Sequence, residues 1–155
     1  MIKKLYLSWQ ETETICKLII RRIKSMNFVP DVIITPLRGG VIPAVIISHK
    51  INLQNLITVM AQRTKDDSIE VERKEVILNK LPTVDEIRNK NVLILDEIAD
   101  SGDTLQEIYN RILKMKPKKI ITAVLFTNSK RFKRENRIPD ISIKKTDKWV
   151  VFPWE

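Results

Sequence analysis

Asp96, Glu97 and Asp100 crowd one stretch of chain, and Ser101-Gly102-Asp103-Thr104 follows at once. Carboxylates beside a glycine turn suit a ligand that carries both hydroxyls and a phosphate. The acids accept from hydroxyls, hold a divalent cation or offset a transient positive charge, and the glycine lets backbone N–H groups approach the phosphate. A ribose phosphate has all of these features, with its phosphate on Ser101 and Thr104 and its hydroxyls on Asp96 and Glu97. A helix N-cap with acidic first-turn residues would leave Asp96 and Glu97 unexplained. The remaining glycines, Gly39 and Gly40, form a second loop of the same kind, so all 3 glycines of the chain fall in two candidate anion-binding loops. Neither loop has the Walker spacing or Gly-x-Gly-x-x-Gly, which argues against a nucleoside triphosphatase or a nicotinamide enzyme. With 1 cysteine (Cys16) and 1 histidine (His49), there is no zinc cluster and no Cys–His or Ser–His nucleophile pair.

Both loops need strands to aim them and helices to receive the ligand's charge. Ser8-Trp9-Gln10-Glu11 has capping-box spacing, and Ile15, Leu18, Ile19, Ile23 and Met26 recur at helical intervals, predicting a helix over 9–26. The runs 31–35, 56–60, 91–95 and 120–126 are short, apolar and rich in β-branched residues, as buried strands are. Segment 41–51 is apolar nearly all round, and Leu105, Ile108, Ile112 and Met115 mark a further helix. The tail 141–152 reads as mainly extended. Strand, loop and helix alternate, and each glycine loop follows a strand and precedes a helix. The expected fold is therefore α/β, a single-domain, mostly parallel, twisted, Rossmann-like sheet flanked by helices. Ligands of such sheets collect beyond the carboxyl ends of the strands. Residues 62–75 turn strongly polar and read as a flexible flap.

Val92-Leu93-Ile94-Leu95-Asp96-Glu97-Ile98-Ala99-Asp100-Ser101-Gly102-Asp103-Thr104-Leu105 resembles the phosphoribosyl-pyrophosphate motif of the type I phosphoribosyltransferases. Thr35-Pro36-Leu37-Arg38-Gly39-Gly40 resembles the pyrophosphate loop of the same family. The ending Lys148-Trp149-Val150-Val151-Phe152-Pro153-Trp154-Glu155 is similar to that of the archaeal purine and xanthine-guanine members. The resemblance implies one domain over 1–155, with the purine held by a C-terminal hood over 127–155. It implies purine salvage, in which phosphoribosyl passes from 5-phosphoribosyl 1-pyrophosphate to hypoxanthine, guanine or xanthine with Mg as cofactor. On this reading Leu37, Arg38, Gly39, Gly40, Asp96, Glu97, Ala99, Asp100, Ser101, Gly102, Asp103 and Thr104 bind the donor. Asp100 is the general base at purine N7, and Glu97 with Asp96 holds the metal. Trp149 stacks on the purine, main-chain groups near Val150 read its edge, and Trp154 packs. The peptide joining Leu37 to Arg38 can be cis in this family.

The 6-oxopurine members place a lysine just after the strand at 120–126 to donate to purine O6, where this chain has Asn128. Lys130, two residues on, shares that face if the chain stays extended. Asn128 can itself donate or accept, which leaves an amino group at C6 open. Asp103 stands where the family often has Lys or Arg and is expected to face solvent. Two other readings differ in acceptor or in class: the same fold acting on adenine, and a ribose-phosphate-sensing regulator without turnover.

The 155 residues suffice for a real core, and 28 Lys plus Arg against 19 Asp plus Glu give +9, which favours anionic ligands. Lys130-Arg131-Phe132-Lys133-Arg134 is the densest basic run and reads as a solvated face. The start of the chain lacks a signal-peptide pattern, and no apolar run approaches the roughly 20 residues of a membrane span. A soluble, cytoplasmic protein with small-molecule partners, no nucleic acid and no membrane is expected, as a homodimer or homotetramer by family resemblance.

Overall fold

Ser8 caps the first helix as its spacing predicts: the Glu11 N–H donates to Ser8 Oγ (3.2 Å), and the Ser8 N–H donates to Glu11 Oε2 (2.8 Å). The computed structural model, which describes residues 3–63 and 76–155, builds outward from such local signals. In chain order the elements are β1 (Lys4–Tyr6), α1 (Trp9–Ser25), β2 (Val32–Leu37), α2 (Val41–Lys50), β3 (Leu56–Arg63) and β4 (Val76–Asn79). Then come α3 (Val84–Ile87), β5 (Asn91–Ala99), α4 (Asp103–Leu113), β6 (Lys119–Asn128), β7 (Ile141–Thr146) and β8 (Trp149–Val151).

The main sheet has the order β4-β3-β2-β5-β6-β7. Every neighbouring pair is parallel except β3–β4. Its central strands are apolar on both faces because helices cover both. Ile33, Leu93 and Leu95 pack with Ile15, Ile19 and Ile47 of α1 and α2. The alternate residues Val32, Ile34, Val92 and Ile94 pack with Leu105, Ile108 and Ile112 of α4. Among the described residues, no helix is long and apolar enough to cross a membrane.

Some boundaries differ from the sequence reading, each for a pairing reason. β5 does not stop at Leu95 but runs through Ala99, because Asp96, Ile98 and Ala99 still pair with Val124, Phe126 and Thr127 of β6. β3 runs past Met60 to Arg63, held by antiparallel β4. Of the expected flap, residues 62 and 63 belong to β3 and 64–75 lie outside the described residues. In the expected hood, β7 belongs to the main sheet, whereas β8 pairs in parallel with β1, Leu5 opposite Val150.

Candidate active site

β2 and β5 lie side by side at the centre of the sheet, and the remaining strands extend away from them in opposite directions. The loops that follow these two strands must diverge, opening a crevice at their carboxyl ends. Those loops are the two glycine loops.

Gly39 and Gly40 are there for room rather than for a special backbone angle. A Cβ on Gly39 would overlap the Glu97 carboxylate, and one on Gly40 would lie 2.5 Å from Thr35 Oγ1 and 3.0 Å from Asp96 Oδ1. The first loop therefore rests directly on the acidic pair. Gly102 alone needs glycine's freedom, at φ +87°, and a Cβ there would also meet the Phe132 ring at 2.7 Å. The Leu37–Arg38 peptide is cis. Leu37 is 39% exposed, and Arg38 is exposed with no ion pair among the described residues.

Asp96 is buried, and its Oδ1 accepts from the Glu97 N–H at 2.8 Å. Burial, then the neighbouring Glu97 charge, push its carboxyl well above the usual range. Glu97 Oε2 and Thr35 Oγ1 are buried without a hydrogen-bond partner. Such an orphaned carboxylate oxygen points to a partner supplied from outside the chain. The described residues hold no cluster of three or more His, Cys, Asp or Glu fit for a metal. Magnesium asks for less, since one or two carboxylates complete a shell made mainly of water and substrate oxygens. Glu97 with Asp96 meets that need.

Two cavities open here. One, of about 200 Å³, is lined by Leu37, Gly39, Asp96, Gly102 and Thr104 among others. The second, of about 210 Å³, is lined by Asn128, Lys148, Trp149, Val150, Phe152 and Glu155. Glu97, Ile98 and Asp100 line both, so a single stretch of β5 and its loop forms the common wall. Trp149 keeps 51% of its surface open although it is a large aromatic. Trp154 instead stacks on Phe152 at 4.7 Å and meets Trp9 at 5.9 Å.

Lys130 is not on Asn128's face. The extended chain ends at Asn128, because its Oδ1 accepts from the N–H groups of Lys130 and Arg131, both at 3.0 Å, and turns the backbone. The Lys130 ammonium sits 2.7 Å from Asp147, away from the cavity. Asn128 itself is 5% exposed and donates through Nδ2 to Asp100 Oδ1 at 2.9 Å. The other Asp100 oxygen receives the Arg131 guanidinium at 2.7 Å.

Asp103 does not face solvent. It accepts from Ser101 Oγ (2.9 Å) and Asn136 Nδ2 (2.8 Å) and pairs with Lys133 (2.9 Å). Burial alone would raise its pKa, but Lys133, Asn136 and Ser101 outweigh burial and hold it below the usual carboxylate value. The basic run after Asn128 is thus a strap laid over the second glycine loop, and the Ser101 carbonyl also accepts from Lys133 N–H and Asn136 Nδ2, both at 3.0 Å. Arg131, Lys133, Asn136 and Lys148 escaped the sequence reading. Only the density of the basic run hinted at two of them, Arg131 and Lys133.

Residues 4–155 match the model of the phosphoribosyl transferase domain, and the chain belongs to that family. It is 28% identical to xanthine phosphoribosyltransferase 1 of Saccharomyces cerevisiae, covering 99% of this chain and 90% of the relative. It is 25% identical to the hypoxanthine-guanine phosphoribosyltransferase of the same yeast, covering 98% and 86%. The crystal structure of a purine phosphoribosyltransferase from Pyrococcus horikoshii superimposes with a TM-score of 0.84 at 30% identity, covering 98% of this chain and 94% of that one.

Proposed function

We propose that this protein is a purine salvage enzyme. It transfers phosphoribosyl from 5-phosphoribosyl 1-pyrophosphate to a 6-oxopurine (hypoxanthine, guanine or xanthine), giving the nucleoside monophosphate and pyrophosphate. The observation that carries this reading is the shared wall: a donor in the first cavity and a base in the second meet beside Asp100. The named relatives support purine as the acceptor.

In this reading the donor's 5′-phosphate lies on the loop of Ser101, Gly102 and Thr104, at the start of α4, where the helix dipole favours an anion. Asp96 and Glu97 hold the ribose hydroxyls, and their charge stabilises the oxocarbenium character that grows at C1′. Arg38 and the N–H groups around Gly39 and Gly40 hold the departing pyrophosphate as its charge grows. Asp100 accepts or shares the purine N7 proton while a ring nitrogen attacks C1′ and the bond from C1′ to the pyrophosphate oxygen breaks. Trp149 stacks on the base, and the Val150 backbone reads its edge. A bound magnesium ion, held by Glu97 and Asp96, would neutralise donor phosphate charge. A cytoplasmic setting accords with the single buried Cys16, whose thiol burial pushes up to about 12, and the family resemblance supports a homodimer or homotetramer.

The test offers hypoxanthine, guanine, xanthine, adenine and orotate separately with Mg²⁺ and the donor, and follows nucleotide formation. A 6-oxopurine should be turned over, and Asp100→Asn should lower kcat/KM by about 10² to 10⁴-fold. Turnover of adenine alone would overturn the acceptor, and no turnover despite donor binding would favour the sensor reading.

A further inference from the structure

We infer that Lys133, seated on Asp103, is a positioning residue for the sugar phosphate: from the strap it cancels the acid's charge beside the second glycine loop and so lets that loop accept a phosphate dianion. The inference rests on the reading of residues 101–104 as the 5′-phosphate site and adds the residue that makes their charge fit.

The stretch 96–110 carries five acids, Asp96, Glu97, Asp100, Asp103 and Glu107, and no lysine or arginine. A phosphomonoester brings a charge of about −1.5 to −2 near neutrality. The start of α4 offers it only about half a positive charge. Asp103, the first residue of that helix, sets a full negative charge against it. Gly102 and Thr104, on either side of Asp103, line the cavity that Glu97 also lines, and Glu97 Oε2 is buried without a hydrogen-bond partner. A partner from outside is thus called for where the loop's own charge would repel a phosphate.

The missing cations come from the strap, in register. Arg131 pairs with Asp100 at 2.7 Å, the Phe132 ring lies 2.7 Å from where a Cβ on Gly102 would be, and Lys133 pairs with Asp103 at 2.9 Å. Each acid also receives an asparagine N–H, from Asn128 on Asp100 at 2.9 Å and from Asn136 on Asp103 at 2.8 Å. The Lys133 N–H donates to the Ser101 carbonyl at 3.0 Å, which fixes where its ammonium can reach. Asp103 in turn shapes the loop: its Oδ2 accepts from Ser101 Oγ at 2.9 Å, and its N–H donates to that oxygen at 3.3 Å. The acid supplies the shape, and the lysine removes the charge that comes with it. An uncancelled like charge a few ångströms from a bound anion weakens binding by about tenfold or more.

The test titrates inosine 5′-monophosphate and inosine, which differ only in the phosphate, into the wild type, Lys133→Gln, Lys133→Arg, Asp103→Asn and the double variant Asp103→Asn with Lys133→Gln. Lys133→Gln should weaken the nucleotide by about tenfold or more and inosine by less than about twofold. The nucleotide's loss should shrink as salt is raised. Lys133→Arg should keep the affinity, and the double variant should recover most of it, because the charge leaves together with its canceller. Equal losses for both ligands would make Lys133 a strut of the strap, and a double variant as weak as Lys133→Gln would show that it does not act through Asp103; either result overturns the inference. Should Lys133→Gln fail to fold, Asp103→Asn decides: it should hold the nucleotide at least as tightly as the wild type, and a selective loss of the nucleotide would sink the idea. A wild type that holds the nucleotide no better than inosine takes the phosphate off the loop, and the inference falls with it. Tight nucleotide binding with no base turned over removes only the enzymatic reading.

Discussion

The two cavities are built on different principles. The side proposed for phosphoribosyl is made of contiguous chain: two loops, each leaving a central strand, supply its glycines, acids and hydroxyls within short windows. The side proposed for the purine is assembled from the end of β6, the strap that follows it, and β8, which is held in place by β1 at the opposite end of the sequence. A site made of local loops keeps its composition wherever the strands are set. A site made of distant pieces depends on how they are joined, and Asn128, held by the Arg131 N–H, stands at one such joint.

The contact that ties the two sides together offers the strongest way to break this contrast. Gly102→Ala forces a side chain into the left-handed region and against Phe132. The expected cost is about 1 to 3 kcal/mol, read by calorimetry as a Tm lower by about 3 to 10 °C. The KM values for donor and base should rise together, because the strap and the phosphate loop share this residue. A change confined to donor KM would show the two sides to be independent.

Trp149→Ala sharpens the contrast from the purine side. Loss of stacking should raise the KM for the base by about 5- to 100-fold, from about 1 to 3 kcal/mol per stacked base. Donor affinity, measured by titration without base, should stay within about twofold. A matching loss of donor affinity would mean that Trp149 supports the common wall rather than the base.

The smallest effect is expected at Asp103, where the strap meets the phosphate loop. Its folded-state pKa is depressed by Lys133, Asn136 and Ser101 against the opposing effect of burial. Its contribution is therefore present above the unfolded carboxylate value and is lost as pH falls through the folded value. Asp103→Asn should cost about 1 kcal/mol near neutrality and flatten the stability curve in the acid range. An unchanged acid limb in denaturant titrations from pH 2 to 6 would remove Asp103 from the strap's anchorage.

The same division explains what could be read before the fold was known. β2, α2, β5 and α4 announce themselves by apolar runs and periodicity, and the segment from Asp96 to Thr104 carries donor chemistry in its own order. α3 left a trace in Thr83 and Glu86, whose side chains make a capping box over a single turn. β1 left none, because a three-residue strand acquires meaning only from its partner β8. Lys130 was misplaced since alternation presumes an extended chain, and the Asn128 oxygen ends that extension. Asp103 was misjudged for a related reason: its partners Lys133 and Asn136 lie far along the chain and resembled an ordinary charged surface.

The pairing of β1 with β8 sets an order of events in synthesis. A chain leaving the ribosome can add β3, β5 and β6 to β2 as each appears, since each of the three finds a neighbour already made. The strand bearing Trp149 must wait for residues 149–151 and then close on Lys4–Tyr6, a contact spanning nearly the whole sequence. On the proposed assignment of the two cavities, the nascent protein acquires the means to hold a sugar phosphate before it acquires the means to choose a base.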